Sequence, residues 1–81
     1  MTVQVRLFAR ARDLAGATVL DVELPAGATV ADLRRILAQT HPVLAALLPR
    51  CAIAVDNDFA GDDRQLSSSS EIALLPPVSG G

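Results

Sequence analysis

The chain has 81 residues, a net charge of −2 and 51% hydrophobic side chains, which makes one small domain whose core buries roughly 60–65% of the unfolded surface. Its cations are Arg6, Arg10, Arg12, Arg34, Arg35, Arg50 and Arg64, with no lysine; they form no basic block of the kind nucleic acid demands. No apolar run approaches the ~20 residues that span a bilayer, the alternating N-terminus lacks a signal peptide's apolar stretch, and a single cysteine excludes an internal disulfide, so a cytoplasmic protein that contacts neither nucleic acid nor membrane is expected.

Val3, Val5 and Leu7 alternate with Gln4, Arg6 and Phe8, the period of a strand with one buried face. Gly16 marks a turn, and Leu20, Val22 and Leu24 then alternate with Asp21 and Glu23 until Pro25 and Gly27. The two strands are read as an antiparallel hairpin. "TVADLRRILAQTHP" predicts a helix: Thr29 caps it, Asp32 reaches back from three residues on, and Val30, Leu33, Ile36 and Leu37 form one apolar stripe. Pro42 disfavours helical geometry at His41 and ends the helix there.

"PVLAALLP" predicts a short helical turn closed by Pro49, and Cys51–Val55 a third strand. "DND" is turn chemistry, Phe59 and Ala60 a short strand, and Leu66 an anchor for the loop that follows. Ser67–Ser70 is a tight connection into a last strand, with Ile72 and Leu74 on one side and Ala73 and Leu75 on the other. An opening hairpin, one long helix and further strands predict an α+β fold: a mixed sheet of about four to five strands with the helix on one face. Parallel pairing of the first and last strands would make the last one central. Phe8 and Leu75 both fall out of phase with the buried positions of their strands, so they are expected to meet on the exposed side of the sheet as an apolar patch.

Chemistry is sparse. Asp56, Asp58 and Gly61 start like a calcium loop, but Ala60 and Ser67 stand where further oxygen ligands are required. Cys51 lacks a base or cation to make it a thiolate and reads as an inert, partly buried thiol. His41 fits the negative end of a helix better than a catalytic set. An enzyme acting by itself is not expected. The tail is the exception. Pro76 and Pro77 end sheet pairing and hold the backbone extended, and the segment from Pro76 to Gly81 reaches on the order of 20 Å. Gly80 and Gly81 have no Cβ and fit a narrow channel. A carboxylate on such an arm becomes reactive once it is adenylated, because the mixed anhydride with AMP is open to attack by sulfur or an amine. The division expected is a domain over 1–75 and an arm over 76–81, with Ser79–Gly81 mobile.

"LFARARDLAG", the Thr29-capped helix and "EIALLPPVSGG" together resemble the MoaD family, the small subunits of molybdopterin synthase. The resemblance spans essentially the whole chain and is most specific at "PPVSGG". It implies a ubiquitin-like β-grasp fold and a sulfur-carrying cycle with no permanently bound cofactor. An E1-like enzyme (MoeB-like) uses ATP to adenylate Gly81, a sulfur donor protein converts the adenylate to a thiocarboxylate (1-thioglycine), and the arm enters the large subunit (MoaE-like) of a heterotetramer, where sulfur passes to cyclic pyranopterin monophosphate. By the same resemblance Gly80 is the channel-compatible neighbour of Gly81, and Phe8, Arg12, Leu75, Pro76, Pro77, Val78 and Ser79 contact the partner. Ser70-Glu71, Asp56 and Leu75 depart from the family's frequent Gly-Asp, Asn and aromatic at those places. A thiamine-type carrier and a protein modifier conjugated through its C-terminus are the alternative readings.

Overall fold

The computed structural model describes residues 1–77. It contains β1 (Thr2–Leu7), α1 (Ala9–Ala15), β2 (Val19–Glu23), α2 (Val30–Thr40), two 3-10 turns (Pro42–Leu44 and Leu48–Arg50), β3 (Ala52–Val55), β4 (Asp58–Phe59) and β5 (Glu71–Leu75). The five strands form one sheet in the order β2-β1-β5-β3-β4. β1 and β5 run parallel, and the other neighbours are antiparallel. The α+β architecture expected from the pattern is therefore present, with β5 central.

The alternation of the strands sets the layers. Val3, Val5 and Leu7 of β1, Ile53 and Val55 of β3, and Ile72 and Leu74 of β5 all point to one face, where Val30, Leu33 and Leu37 of α2 close the core. Ile36 sits at the edge of that helix stripe, half-buried. α2 begins with a reciprocal cap. Asp32 N–H donates to Thr29 Oγ1 at 3.4 Å, and Thr29 N–H donates to Asp32 Oδ2 at 2.9 Å. Two further N–H groups of its first turn, on Val30 and Ala31, donate to the carbonyls of Arg64 and Asp62 at 3.0 Å each. The loop after β4 thus satisfies donors a helix start leaves open, and buried Leu66 pins that loop to the core as expected.

Two expectations are corrected. β1 and β2 are antiparallel, but no tight turn joins them: α1 intervenes. Phe8 remains extended, Ala9 turns the chain with a φ of 50°, and the helix then runs to Gly16, whose φ of 69° ends it. Gly16 N–H donates to Arg12 O at 2.9 Å, a left-handed cap that glycine adopts freely. "ARARDLA" hides this helix because its core-facing stripe is short and mostly alanine: Ala11 is buried, and Leu14 and Ala15 are half-buried against the core. The segment after α2 is likewise two separate 3-10 turns, and Pro49 lies inside the second instead of closing a single one. The prolines near the start of each turn fix φ and need no N–H partner there. Among the described residues, no helix is long and apolar enough to cross a membrane.

Candidate functional site

The face of the sheet away from α2 carries the candidate site. Pairing brings Arg6 beside Ala73, Ala73 beside Ala54, and Ala54 beside Phe59, so one row of side chains crosses four strands. Its middle is two alanines. A floor of methyl groups between larger neighbours leaves a shallow seat, lined by Phe8, Ala54, Asn57, Phe59, Ala73 and Leu75. The expected meeting of Phe8 and Leu75 is there: Leu7 pairs with Leu74 in the parallel ladder, and the next residue of each strand turns to the open face. Phe8 is 41% exposed and Phe59 79%. For phenyl rings this is an unpaid apolar surface, of the kind that marks interfaces.

The β3–β4 hairpin positions Phe59. Asp56 and Asn57 have φ of 52° and 70°, the paired left-handed geometry of a two-residue turn whose twist matches the strands. Asp56 Oδ1 accepts from Glu71 N–H at 2.9 Å, and Asp56 N–H donates to Glu71 O at 2.8 Å, which locks this turn to the start of β5. Asp56 is thus occupied in holding the turn. Phe59 was legible only as part of a short strand; the signal for its role is the alanine at outward positions 54 and 73, where polar residues are usual.

Arg12 projects from α1 and lines an adjoining depression with Arg6, Phe8 and Val19. It therefore borders the same end of the face as Phe8. Pro76 and Pro77 continue straight from β5, the first half-buried and the second exposed. Leu75 pairs with Ala52, so the arm leaves beside the start of β3. Val78, Ser79, Gly80 and Gly81, with the expected mobility of Ser79–Gly81, lie outside the described residues.

Nothing in the described part assembles a reacting centre. Cys51 is buried, its thiol donates to Leu47 O at 3.3 Å, and burial pushes its pKa up against a smaller opposing pull from Arg34. His41 ends α2, with Nδ1 2.9 Å from Thr40 Oγ1. Among the described residues, no group of three or more His, Cys, Asp and Glu converges as a metal site would require. What the arrangement offers is an apolar face next to Pro76 and Pro77, which follow β5.

Residues 5–81 match the ThiS family. The molybdopterin synthase sulfur carrier subunit of Caenorhabditis briggsae is 37% identical, over 100% of this chain and 99% of its own length. Among solved structures, SAMP1 from Haloferax volcanii matches with a TM-score of 0.87 at 27% identity, and both chains are covered completely. A chain of the complex between subunits 1 and 2 of molybdopterin-converting factor from Helicobacter pylori 26695 matches with a TM-score of 0.71 at 30% identity, again with 100% of each chain covered. Together with the β-grasp order of strands and the "PPVSGG" arm, the match over residues 5–81 means that this chain belongs to the ThiS/MoaD family of ubiquitin-like domains.

Proposed function

We propose that this chain is the sulfur carrier subunit of a molybdopterin synthase. The observation that carries the reading is the juxtaposition of a seat formed by exposed Phe8 and Phe59 and half-buried Leu75 with the Pro76-Pro77 root of the arm. One surface holds a partner while the arm reaches past it. Relatives that carry this function match along nearly their whole length, and the Helicobacter pylori structure pairs subunit 1 with subunit 2. A large synthase subunit is accordingly this chain's partner on the open face.

In this reading the finer steps follow from the chemistry of a carboxylate. Gly81 carries it. An E1-like adenylating enzyme spends ATP to form the acyl-adenylate and releases pyrophosphate. A sulfur donor protein then presents a persulfide whose outer sulfur displaces AMP, and a second thiol breaks the S–S bond of the resulting acyl persulfide, leaving a thiocarboxylate on the carrier and a disulfide on the donor. The sulfur is nucleophilic, and within the large subunit it bonds a side-chain carbon of the cyclic pyranopterin monophosphate as a carbon–oxygen bond there breaks, the oxygen leaving with phosphate or as water. Water subsequently cleaves the acyl–sulfur bond, leaving sulfur on the pterin and regenerating the carboxylate. Gly80 keeps the arm narrow, and Pro76, Pro77, Val78 and Ser79 lie against the channel wall while Phe8, Arg12 and Leu75 hold the domain at its mouth. The assembly is a heterotetramer with a carrier at each end, acting in the cytoplasm.

A second reading has its own support. The likeness to SAMP1, a small archaeal modifier protein, over the whole chain favours a modifier joined through its C-terminus to other proteins. Purification of the chain from its own cells separates the two. Co-purification with the large subunit and a mass change of oxygen to sulfur at the C-terminus supports the carrier, whereas isopeptide-linked adducts support the modifier.

A further inference from the structure

Among the described residues four of the seven arginines have no ion-pair partner, and two of these, Arg6 and Arg12, border the depression beside Phe8 already described. Arg34, Arg35 and Arg64 are neutralised by Asp62, Asp32 and Asp56. Arg10 and Arg50 are exposed, and among the described residues neither has an ion-pair partner. Although 40 positions apart, both border one depression between α1 and the two 3-10 turns, with Leu14, Val43, Ala46 and Leu47 as its apolar walls. Val43 is 50% exposed there. None of these residues lines the seat on the open sheet face.

The depression is rigidly built. Ala11 anchors α1 and Leu44 and Leu48 anchor the two turns in the core. Arg50 is two residues before Ala52, which pairs with Leu75 at the root of the arm. The chain as a whole carries −2 and presents six of its nine acidic side chains on β2 and on the loops around Asp56–Asp63; on α1 Asp13 stands three residues from Arg10 but does not line the depression. Among the described residues an acidic segment therefore finds unpaired arginines at this trough and at the Arg6–Arg12 depression, and the trough is the one of the two that shares no residue with the open-face seat. Two exposed arginines bordering an apolar trough complement a segment that places aliphatic side chains between carboxylates.

We propose that the trough between Arg10 and Arg50 is a second docking face, and that it receives an acidic, aliphatic-anchored segment of a partner protein. Because it shares no residue with the open-face seat, it can be filled while the large subunit is bound. The charges set partner choice and encounter rate, and the trough supplies the anchor. This inference does not depend on which pathway the arm serves.

The test uses the isotopically labelled full chain, free and saturated with large subunit. The probe is a synthetic 12-residue peptide with two leucines, one turn apart, flanked by glutamates; a control replaces the glutamates by lysines. The expected result is amide shift changes at Arg10, Leu14, Val43, Leu47 and Arg50 with the acidic peptide only, weakened by added salt and retained in the presence of large subunit. Arg10→Ser with Arg50→Ser is expected to weaken binding about tenfold, the size two surface ion pairs carry together, with an unchanged melting temperature. Shifts confined to the Phe8–Phe59 face, equal binding of the lysine control, displacement by the large subunit, the same shifts from inorganic phosphate, or concentration-dependent shifts at the trough without peptide would each overturn the proposal; the last would assign the trough to a second copy of the chain.

Discussion

Phe8 and Leu75 lie side by side on the open face because Leu7 and Leu74, one residue earlier in each strand, are partners in the parallel β1–β5 ladder. The relation is fixed by register. A slip of one residue would bury both side chains and expose Leu7 and Leu74 instead. Phe8→Ala is expected to weaken binding of the large subunit by ~1–3 kcal/mol, the range of an aromatic interface anchor. Phe59→Ala is expected to do the same. Calorimetric titration checks both, with thermal melts unchanged because neither ring is in the core. Unaltered affinity in Phe8→Ala would remove that ring from the interface.

The layering of the sheet was readable in the sequence because buried and outward positions alternate without a break from Val3 to Phe8 and from Ile72 to Leu75. The N-terminus of α2 was readable because Thr29 and Asp32 are a local signal. α1 was not: it meets the core through Ala11 and half-buried Leu14 and Ala15 over only two turns, and alanine and arginine in alternation at its start point to neither a helix nor a strand. Phe59 and the Arg10–Arg50 trough were out of reach for another reason. Their partners come from strands and turns far apart in sequence, and only the sheet order brings them together. The role of Gly81 rests on the resemblance and on the chemistry of its carboxylate.

The cap of α2 sets an acid limit. Asp32 is held below its ordinary value of 3.8, first by the Thr29 backbone N–H, then by Arg35, then by the Thr29 hydroxyl. With a depressed folded value, the unfolded chain binds more protons in this range. The contribution is present above 3.8 and is lost as pH falls below it, through the folded value. Urea midpoints are expected to drop between about pH 6 and about pH 3, and to drop less in Asp32→Asn. At neutral pH, Thr29→Ala is expected to cost about 1 kcal/mol. Equal pH dependence in wild type and Asp32→Asn would remove the cap from the acid response.

Cys51 is expected to resist thiol reagents. Its raised pKa and its burial both suppress the thiolate that such reagents attack. A chromogenic disulfide added near neutral pH is expected to react slowly with the native protein and at once in denaturant. Fast native labelling would show that the strand start opens.

Ala9 occupies a backbone region that favours glycine, with φ of 50° and a β-carbon to accommodate. Ala9→Gly is expected to stabilise the fold by up to about 1 kcal/mol, and Ala9→Val to destabilise it by at least as much. Chemical denaturation of the two variants reads both signs. Destabilisation by glycine would mean that the turn into α1 is held by something other than this conformation.

The most direct test of the account concerns the end of the arm. Deleting Gly81 shortens the reach by ~3.3 Å, and a misplacement of even about 1 Å can cost on the order of a hundredfold in rate. The core, as described through residue 77, makes no use of Gly81. The measurement is sulfur transfer to cyclic pyranopterin monophosphate by large subunit supplied with chemically thiocarboxylated protein, full-length or lacking Gly81. The account predicts that the shortened protein melts normally, binds the large subunit nearly as well and yields no molybdopterin. Full transfer by the shortened protein would contradict it.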